Sequence, residues 1–231
     1  MVPLRDNNPT RITPYVTYGL IFVNIIIFLY QMSLQPWQIE QFFRIWAVVP
    51  RELTASLQGQ AVASPFPEWM TLITSQFLHG SILHVAGNML FLWIFGNNVE
   101  DCLGHIKYII FYITCGVLAA LTHWYFSPYS AIPSLGASGA IAGVMGAYIL
   151  RFPNAEIITL IPLGFFSTIA RIPAFFFLGF WFIQQAFNGV ASLGIADIGM
   201  TGGIAYWAHA GGFVFGAILA PIMGIFDEPT G

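Results

Sequence analysis

Two polar residues at the beginning of two apolar segments are the clearest candidates for chemistry. Ser138 lies in Gly136-Ala137-Ser138-Gly139 just before an apolar segment, and His209 lies in Ala208-His209-Ala210-Gly211-Gly212 near the C-terminus. Polar side chains are costly inside a membrane, and those that occur there usually serve a function. A hydroxyl and an imidazole that meet can act as a nucleophile and its general base, because the imidazole removes the proton as the oxygen attacks a carbonyl.

His84 and Asn88 can supply the hydrogen-bond donors that such an attack requires. They are four residues apart and so share one face of a helix. The imidazole N–H, the side-chain amide and the backbone N–H of Ser138 can point at the same oxyanion, and one such donor is typically worth about 2.7–4 kcal/mol in the transition state. His79, five residues before His84, is expected just above this level, where it can orient the preceding connection.

The composition indicates that most of the chain faces lipid. Of its 231 residues, 57% are hydrophobic and 7% are charged, whereas soluble proteins average about 25% charged residues. The net charge is −3 and there is no basic run, which argues against nucleic-acid binding. Cys102 and Cys115 form neither a disulfide framework nor a zinc-ligand spacing. We expect no cofactor and no metal.

Six apolar segments approach the length of a membrane span, which takes roughly 20 mostly apolar residues. In chain order they are Pro14–Leu34, Ile82–Val99, Ile106–Phe126, Ser138–Leu150, Ile172–Gly189 and Tyr206–Phe226. The fourth is short and depends on burial by its neighbours in a bundle. The pattern predicts an all-α, multi-pass integral membrane protein with six transmembrane helices.

Three connections between these segments differ in character. Gln35–Gly80 is long and carries tryptophans among polar residues, which predicts a structured collar, between the first two helices, with parts at the outer membrane interface. Asn154–Arg171 is predicted to be a loop packed near the cytoplasmic surface. Val190–Ala205 is rich in Gly and Ala and is predicted to be a mobile flap on the outer side.

The basic residues predict the orientation, because they concentrate on the cytoplasmic side of membrane proteins. With six crossings, five fall on the side of the N-terminus and two on the other side: Arg5, Arg11, Lys107, Arg151 and Arg171 against Arg44 and Arg51. Both termini are therefore predicted to be cytoplasmic. We expect a single membrane domain over residues 1–231, with 1–13 as its N-terminal segment and 227–231 as its C-terminal tail.

Small residues recur every four positions in the two segments that carry Ser138 and His209. The rows are Gly139, Gly143 and Ala147 in the fourth segment and Ala208, Gly212, Gly216 and Ala220 in the sixth. Membrane helices approach closely along such rows. If the rows face each other, the Ser138 hydroxyl can reach a nitrogen of His209, at the same outer level as His84 and Asn88.

Taken together, these motifs resemble the rhomboid family of intramembrane serine proteases, over nearly the whole chain. The resemblance rests on His79 with His84-Val85-Ala86-Gly87-Asn88, on Gly136-Ala137-Ser138-Gly139, and on Ala208-His209-Ala210-Gly211-Gly212 with Gly216. It implies a six-helix bundle in which Ser138 is the nucleophile and His209 the general base, without an acidic third member. His84, Asn88 and the Ser138 backbone would form the oxyanion hole, with His79 and Gly136 in support.

The resemblance also implies how a substrate reaches the site. Water would reach the pair through a cavity open toward the outer side, and the fifth helix and the loop before the sixth would move to admit a substrate helix. Substrates and partners would be transmembrane segments of other proteins in the lipid bilayer, cut near the outer face and often beside small residues.

One departure from the family pattern concerns the histidine. Family members often carry an aromatic residue four positions after the serine, stacked on the histidine, and here that position is Ala142. Either another group holds the His209 ring or its orientation is looser.

Other functions remain open at this point. The main alternative is a non-catalytic rhomboid-like protein that binds transmembrane helices in the same cavity, and a channel or transporter is another. A metalloprotease would need His-Glu-x-x-His, and an intramembrane aspartyl protease would need two buried aspartates. Asp101 and Asp197 both lie at predicted loop edges.

Overall fold

The computed structural model of the chain describes residues 1–60, 62, 64–164, 166–193 and 205–227. The helices in this part are α1 (Tyr15–Ser33), α2 (Pro36–Trp46), α3 (Pro50–Leu57), α4 (Thr71–Thr74), α5 (Ile82–Leu103), α6 (His105–Phe126), α7 (Ser138–Arg151), α8 (Ala174–Ser192) and α9 (Tyr206–Ile222). The strands are β1 (Val2–Asp6), β2 (Glu156–Leu163) and β3 (Phe166–Pro173). Two 3-10 turns, Glu68–Met70 and Ser75–Phe77, flank α4.

A helix coincides with each of the six apolar segments. Four of these helices, α1, α5, α6 and α8, are long and apolar enough to cross a membrane. The other two, α7 and α9, have 14 and 17 residues. Helix α7 is enclosed by protein continuously from Gly139 to Tyr148, so its neighbours, rather than lipid, cover its apolar surface.

Helix α7 lies at the centre of the bundle and packs against α5, α6, α8 and α9. Large side chains fill the space around it, among them Phe95, Phe111, Tyr112 and Tyr148, all of which are fully buried. The rings of Phe95 and Tyr148 meet edge to face with centroids 5.0 Å apart, an arrangement that aromatic pairs prefer. The core of the protein is therefore built around the helix that begins with Ser138.

Glycines bring α7 and α9 into backbone contact. A Cβ atom added to Gly212 would collide with the carbonyl oxygen of Gly139, and one added to Gly216 would collide with the carbonyl oxygen of Gly143. Helices can approach this closely only where side chains are absent. The two rows of small residues therefore face each other, which is the condition under which Ser138 can reach His209.

Two acidic residues near the end of α5 hold the beginning of α1. The Glu100 carboxylate accepts hydrogen bonds from the N–H groups of Val16 and Thr17 at 2.9 and 2.7 Å. The Asp101 carboxylate accepts two from the Arg11 guanidinium, just before α1, at 3.1 and 3.0 Å. A carboxylate at the first turn of a helix satisfies N–H groups that have no intrahelical acceptor and interacts favourably with the helix dipole. The acidic pair therefore joins α1 to α5.

The connection between α1 and α5 is folded. The backbone groups of Val48 and Ser134 exchange two hydrogen bonds of 3.1 and 2.7 Å, which tie the connection to the segment that leads into α7. Val48 and Leu53 also pack with Ala120 of α6. The location of this connection at a membrane interface stays a prediction.

The chain also contains a three-stranded antiparallel sheet in the order β1-β2-β3. Strands β2 and β3 form a hairpin whose register runs from Glu156 opposite Pro173 to Leu163 opposite Phe166. The turn includes Gly164 at a φ of 73°, a conformation that favours glycine. The prediction of a loop for Asn154–Arg171 is therefore wrong. The predicted all-α class is also corrected, to a mostly helical fold with a small sheet.

The sheet forms for both local and long-range reasons. Strand β2 is rich in β-branched residues and buries alternate side chains at Ile157 and Thr159, which are strand signals in a run too short to span a membrane. Pairing of β1 with β2 joins residues far apart in sequence, so no local pattern reveals it. The Tyr148 hydroxyl donates to Asp6 at 2.6 Å and anchors β1 on α7.

The backbone contact between α7 and α9 leads to a prediction about stability. We expect Gly212→Ala to destabilise the bundle by about 1–3 kcal/mol, because the new methyl group forces the two backbones apart. Unfolding by SDS titration of detergent micelles measures the change. Gly19→Ala on α1 is the matched control, since nothing lies within 4 Å of a Cβ at that exposed helical position. Equal stability of the two variants would contradict the close packing.

Candidate active site

The side chains of Ser138 and His209 meet between α7 and α9. The hydroxyl oxygen of Ser138 lies 2.8 Å from His209 Nε2, which is a hydrogen-bond distance. These residues are 71 positions apart in the chain, so the contact is a result of the helix packing. Both side chains are only partly buried, and the hydroxyl therefore has access to a reacting group.

The position of Ser138 at the start of α7 leaves its backbone N–H available as a hydrogen-bond donor. The helix begins at Ser138, so the N–H of this residue is among the first helical N–H groups, which have no intrahelical acceptor. Such groups bind developing negative charge, helped by the helix dipole. Just before the helix, the Gly136 N–H donates to the Ser75 carbonyl at 2.9 Å and fixes the approach of the chain.

The His84 ring lies against the backbone that precedes Ser138. A Cβ atom added to Gly136 would lie 2.9 Å from His84 Cε1 and Nε2 and 3.6 Å from the Ser138 hydroxyl oxygen. The φ of Gly136 is 126°, which also favours glycine. Glycine at this position therefore allows the imidazole and the hydroxyl to occupy the same small region.

Asn88 is linked to the site through His79. The Asn88 side-chain nitrogen lies 2.9 Å from His79 Nε2, and because this amide nitrogen only donates, His79 accepts. The amide has a second N–H, which stays available for another acceptor. His79 packs edge to face against the His84 ring at 5.1 Å. His79 therefore supports both expected oxyanion donors.

The position of His79 is fixed from α1. The Gln31 side chain donates to the His79 carbonyl at 2.7 Å and accepts from its N–H at 3.1 Å. Burial, and to a smaller extent the neighbouring His84, lowers the pKa of His79 to about 3, so this ring stays neutral and can accept from Asn88 near neutral pH. Gln31 was not predicted as a supporting residue. The signal for it was a polar side chain within an apolar span.

The second ring nitrogen of His209 has a partner that the sequence motifs did not reveal. Gln185 Oε1 on α8 lies 2.8 Å from His209 Nδ1. The Trp181 ring, one turn earlier on α8, lies 5.8 Å from the His209 ring at an interplanar angle of 32°. Of the two possibilities left open by Ala142, the structure favours the first, in which other groups hold the ring.

A small cavity opens beside the serine. Its lining includes Ser75, Gln76, Ser134 and Ser138. Gln76 Oε1 is buried and has no hydrogen-bond partner within the described residues. Polar groups around a cavity can hydrogen-bond water, and a hydrolytic reaction needs water beside its nucleophile.

Parts of the predicted flap and of the predicted C-terminal tail lie outside the residues that the structure describes. Of the predicted flap Val190–Ala205, the residues up to Ser192 belong to α8, and 194–204, with Asp197, lie outside the described residues. Residues 228–231 of the predicted tail also lie outside them. Within the described ranges, no group of three or more His, Cys, Asp or Glu residues is arranged to hold a metal ion.

Comparison with known proteins indicates which family the chain belongs to. A family model described as the Rhomboid domain matches residues 67–226, a range that includes Ser138 and His209. The chain belongs to the rhomboid family. This family includes serine intramembrane proteases, which act on transmembrane substrates. Membership and the membrane-length helices make the chain an integral membrane protein.

Individual rhomboid relatives come from bacteria and mitochondria. The chain is 34% identical to Rhomboid protease GluP of Bacillus subtilis over 147 residues, which cover 58% of this chain and 28% of that protein. It is 29% identical to Presenilin-associated rhomboid-like protein A, mitochondrial, of Danio rerio over 153 residues, covering 64% and 36% of the two chains. The human Presenilin-associated rhomboid-like protein, mitochondrial, is 28% identical over 188 residues, covering 77% and 46%. The matched region thus spans less than half the length of each relative.

The contact between Gly136 and His84 leads to a second prediction. We expect Gly136→Ala to lower the thermal unfolding midpoint in detergent and to shift the NMR signals of the His84 ring, because the methyl group displaces that ring. The strained φ and the steric clash each cost about 1–3 kcal/mol. Gly59→Ala is the control, since Gly59 also has a positive φ of 72° but nothing within 4 Å of an added Cβ. Unchanged His84 signals in Gly136→Ala would contradict the arrangement.

Proposed function

We propose that this rhomboid protein is a serine endopeptidase that cleaves transmembrane segments of other membrane proteins with Ser138 and His209. The observation that carries the proposal is the 2.8 Å separation between the Ser138 hydroxyl oxygen and His209 Nε2. A nucleophile and base at this distance can transfer an acyl group, and the family of the matched Rhomboid domain includes proteases, which supports a peptide bond as the target.

The first half of the reaction forms an acyl-enzyme. The Ser138 oxygen attacks the carbonyl carbon of the scissile bond while His209 Nε2 takes the hydroxyl proton. The tetrahedral intermediate collapses as the protonated ring gives this proton to the leaving amine. The carbonyl fragment stays bound to the Ser138 oxygen as an ester.

The oxyanion of the intermediate needs donors in a site with little water. The Ser138 N–H, the His84 ring and the Asn88 amide are the groups we assign to it. The assignment is supported by the position of Ser138 at the start of α7 and by the His84 ring against Gly136. Fixed donors in a low-dielectric site stabilise developing charge more than water does, because they need no reorganisation.

The second half of the reaction consumes water. His209 Nε2 removes a proton from a water molecule, the resulting oxygen attacks the ester, and the proton returns to the Ser138 oxygen as the acid product leaves. The cavity beside Ser138 and Gln76 is a suitable reservoir for this water, since its lining offers hydrogen-bond partners.

We further propose a single membrane domain over 1–231 with six spans, in which α7 and α9 complete the count. The enclosure of α7 by protein supports a short span at that position. The distribution of basic residues supports cytoplasmic termini, including residues 1–13 and 227–231, and hence a site that opens toward the outer side. The connection between α1 and α5 then lies at the outer interface. Movement of α8 and of the segment before α9 would admit the substrate helix.

A non-catalytic protein that binds transmembrane helices is the alternative. Several relatives are named only rhomboid-like, and the same bundle could hold a helix without cutting it. The hydrogen-bonded Ser138 and His209 favour the enzyme, because helix binding alone does not require a nucleophile beside a base.

The direct test is loss of the nucleophile. We expect Ser138→Ala to lower the cleavage rate of a fluorescent transmembrane test substrate in detergent by about 10³-fold or more, because the variant lacks the hydroxyl oxygen that attacks the peptide bond. Ser33→Ala is the matched control, since Ser33 is exposed at the end of α1. Cleavage by Ser138→Ala at the wild-type rate would refute the proposed endopeptidase activity. A wild-type protein that binds the substrate helix but does not cleave it would refute it too.

A covalent probe tests the base separately. A fluorophosphonate should label Ser138 of the wild type, and His209→Ala should reduce the labelling rate by about 10²–10⁴-fold, the usual contribution of a general base. In-gel fluorescence measures the rate, and unchanged helical circular dichroism confirms folding of the variant. Labelling that persists without His209 would identify Ser138 as a merely accessible hydroxyl.

A further inference from the structure

The most informative contact outside the expected motifs is the one at the second nitrogen of His209. Gln185 Oε1 lies 2.8 Å from His209 Nδ1, and its side chain comes from α8, whereas Ser138 comes from α7. We propose that Gln185 is a positioning residue that holds the His209 ring and selects its tautomer. This role rests on the proposed function of Ser138 and His209.

The two hydrogen bonds of the ring determine where its proton resides. A neutral imidazole has one N–H and one acceptor nitrogen. If Gln185 Oε1 accepts from Nδ1–H, then Nε2 is unprotonated and can accept the Ser138 proton. The opposite tautomer would present Nε2–H to the hydroxyl and could not act as a base toward it. An acceptor at Nδ1 therefore keeps the ring in the reactive form.

Two fixed contacts at opposite sides of the ring also restrain its rotation. The hydrogen bond from Ser138 alone would restrain only one atom of the imidazole, which could still change its side-chain torsion angles. Gln185 adds a second fixed point, and Trp181, four residues earlier on the same helix face, lies beside the ring with centroids 5.8 Å apart. Together they hold a ring to which Ala142, on α7, offers no stacking partner.

The packing of α8 against α9 keeps Gln185 in place. Phe182 of α8 stacks on Phe213 of α9 with centroids 4.8 Å apart. Gln185 itself is buried, with 8% of its surface exposed. Displacement of α8 from α9 would remove the Gln185 contact, so reactivity of the pair depends on this helix as well as on α7 and α9.

An amide suits this buried position better than a carboxylate. A buried charge is costly to desolvate, whereas a neutral amide needs only a hydrogen-bond partner. Glutamine provides the acceptor oxygen without the charge. The chain can therefore orient its histidine in an apolar bundle with a neutral side chain.

Matched variants on α8 test the role in catalysis. Gln185→Met keeps the length of the side chain and removes the acceptor, and we expect kcat to fall by about tenfold or more with KM unchanged. Gln185→Glu restores an acceptor oxygen, and we expect its kcat, compared on the pH plateau of each variant, within about threefold of wild type, a difference smaller than the contribution of one hydrogen bond. Gln184→Met is the control, because Gln184 is the exposed neighbour on the same helix. Equal kcat values for Gln185→Met and Gln184→Met, or no rescue by Gln185→Glu, would overturn the proposal.

The pH dependence of the glutamate variant gives a readout that altered packing would not produce. A carboxylate beside the imidazole stabilises the protonated ring, which cannot act as a base. The acidic limb of the pH–kcat profile should therefore move to higher pH in Gln185→Glu. His84 and His123 also lie near the His209 ring and are unchanged in this variant. A profile identical to that of wild type would contradict the contact.

A structural readout separates failure of this proposal from failure of the proposed function. In protein labelled with ¹⁵N-histidine, we expect His209 Nδ1 to be protonated and Nε2 unprotonated in the wild type and in Gln184→Met, with this preference lost in Gln185→Met. An Nε2–H tautomer in the wild type overturns the proposal, whatever the activity. The expected tautomer in a wild type that cleaves no substrate would refute the proteolytic function and leave the Gln185 contact established.

Discussion

The backbone contact between α7 and α9 is the constraint on which the rest of the site depends. Gly212 lies against the carbonyl of Gly139, and Gly216 against that of Gly143. Ser138 directly precedes the first of these contacts, and His209 lies one turn before it on α9. Helices separated by ordinary side chains would hold the two groups farther apart, because interaxial distances normally reach 8–10 Å. The glycines along this contact therefore allow the Ser138 hydroxyl and the His209 imidazole to come within hydrogen-bond distance.

Hydrogen bonds from neighbouring helices hold the polar groups in this apolar bundle. His209 has Gln185 from α8, while His79 has Asn88 from α5 and Gln31 from α1. In a low-dielectric interior such bonds are strong, and an unpaired polar group is costly. The high free-energy cost of an unpaired polar group in the apolar interior therefore keeps these side chains in the orientations that satisfy their hydrogen bonds.

The two ends of the bundle have different roles. The end at which α5 and α7 begin carries His84 and Ser138, with a cavity beside the serine. At the other end, Glu100 and Asp101 join α5 to α1, and Tyr148 anchors the N-terminal strand through Asp6. Burial raises the pKa of Asp6, although the Tyr148 hydrogen bond opposes this effect. The contacts that join elements at one end of the bundle are therefore separate from the polar groups assigned to the proposed reaction at the other end.

Local pattern in the sequence was sufficient to locate the six long apolar helices and to suggest the candidate pair, but not the shorter helices α2, α3 and α4. Apolar length located a helix at each of the six apolar segments, and spacing put His84 and Asn88 on one helix face, because these features depend on residues close together in the chain. Small-residue rows likewise showed where α7 and α9 could approach closely, although not that they do. Only the tertiary structure revealed that Gln185 and Gln31 reach the two histidines and that β1 pairs with β2. Those contacts join side chains or strands from distant segments, and a single polar residue or a short β-branched run does not specify its partner until the chain has folded.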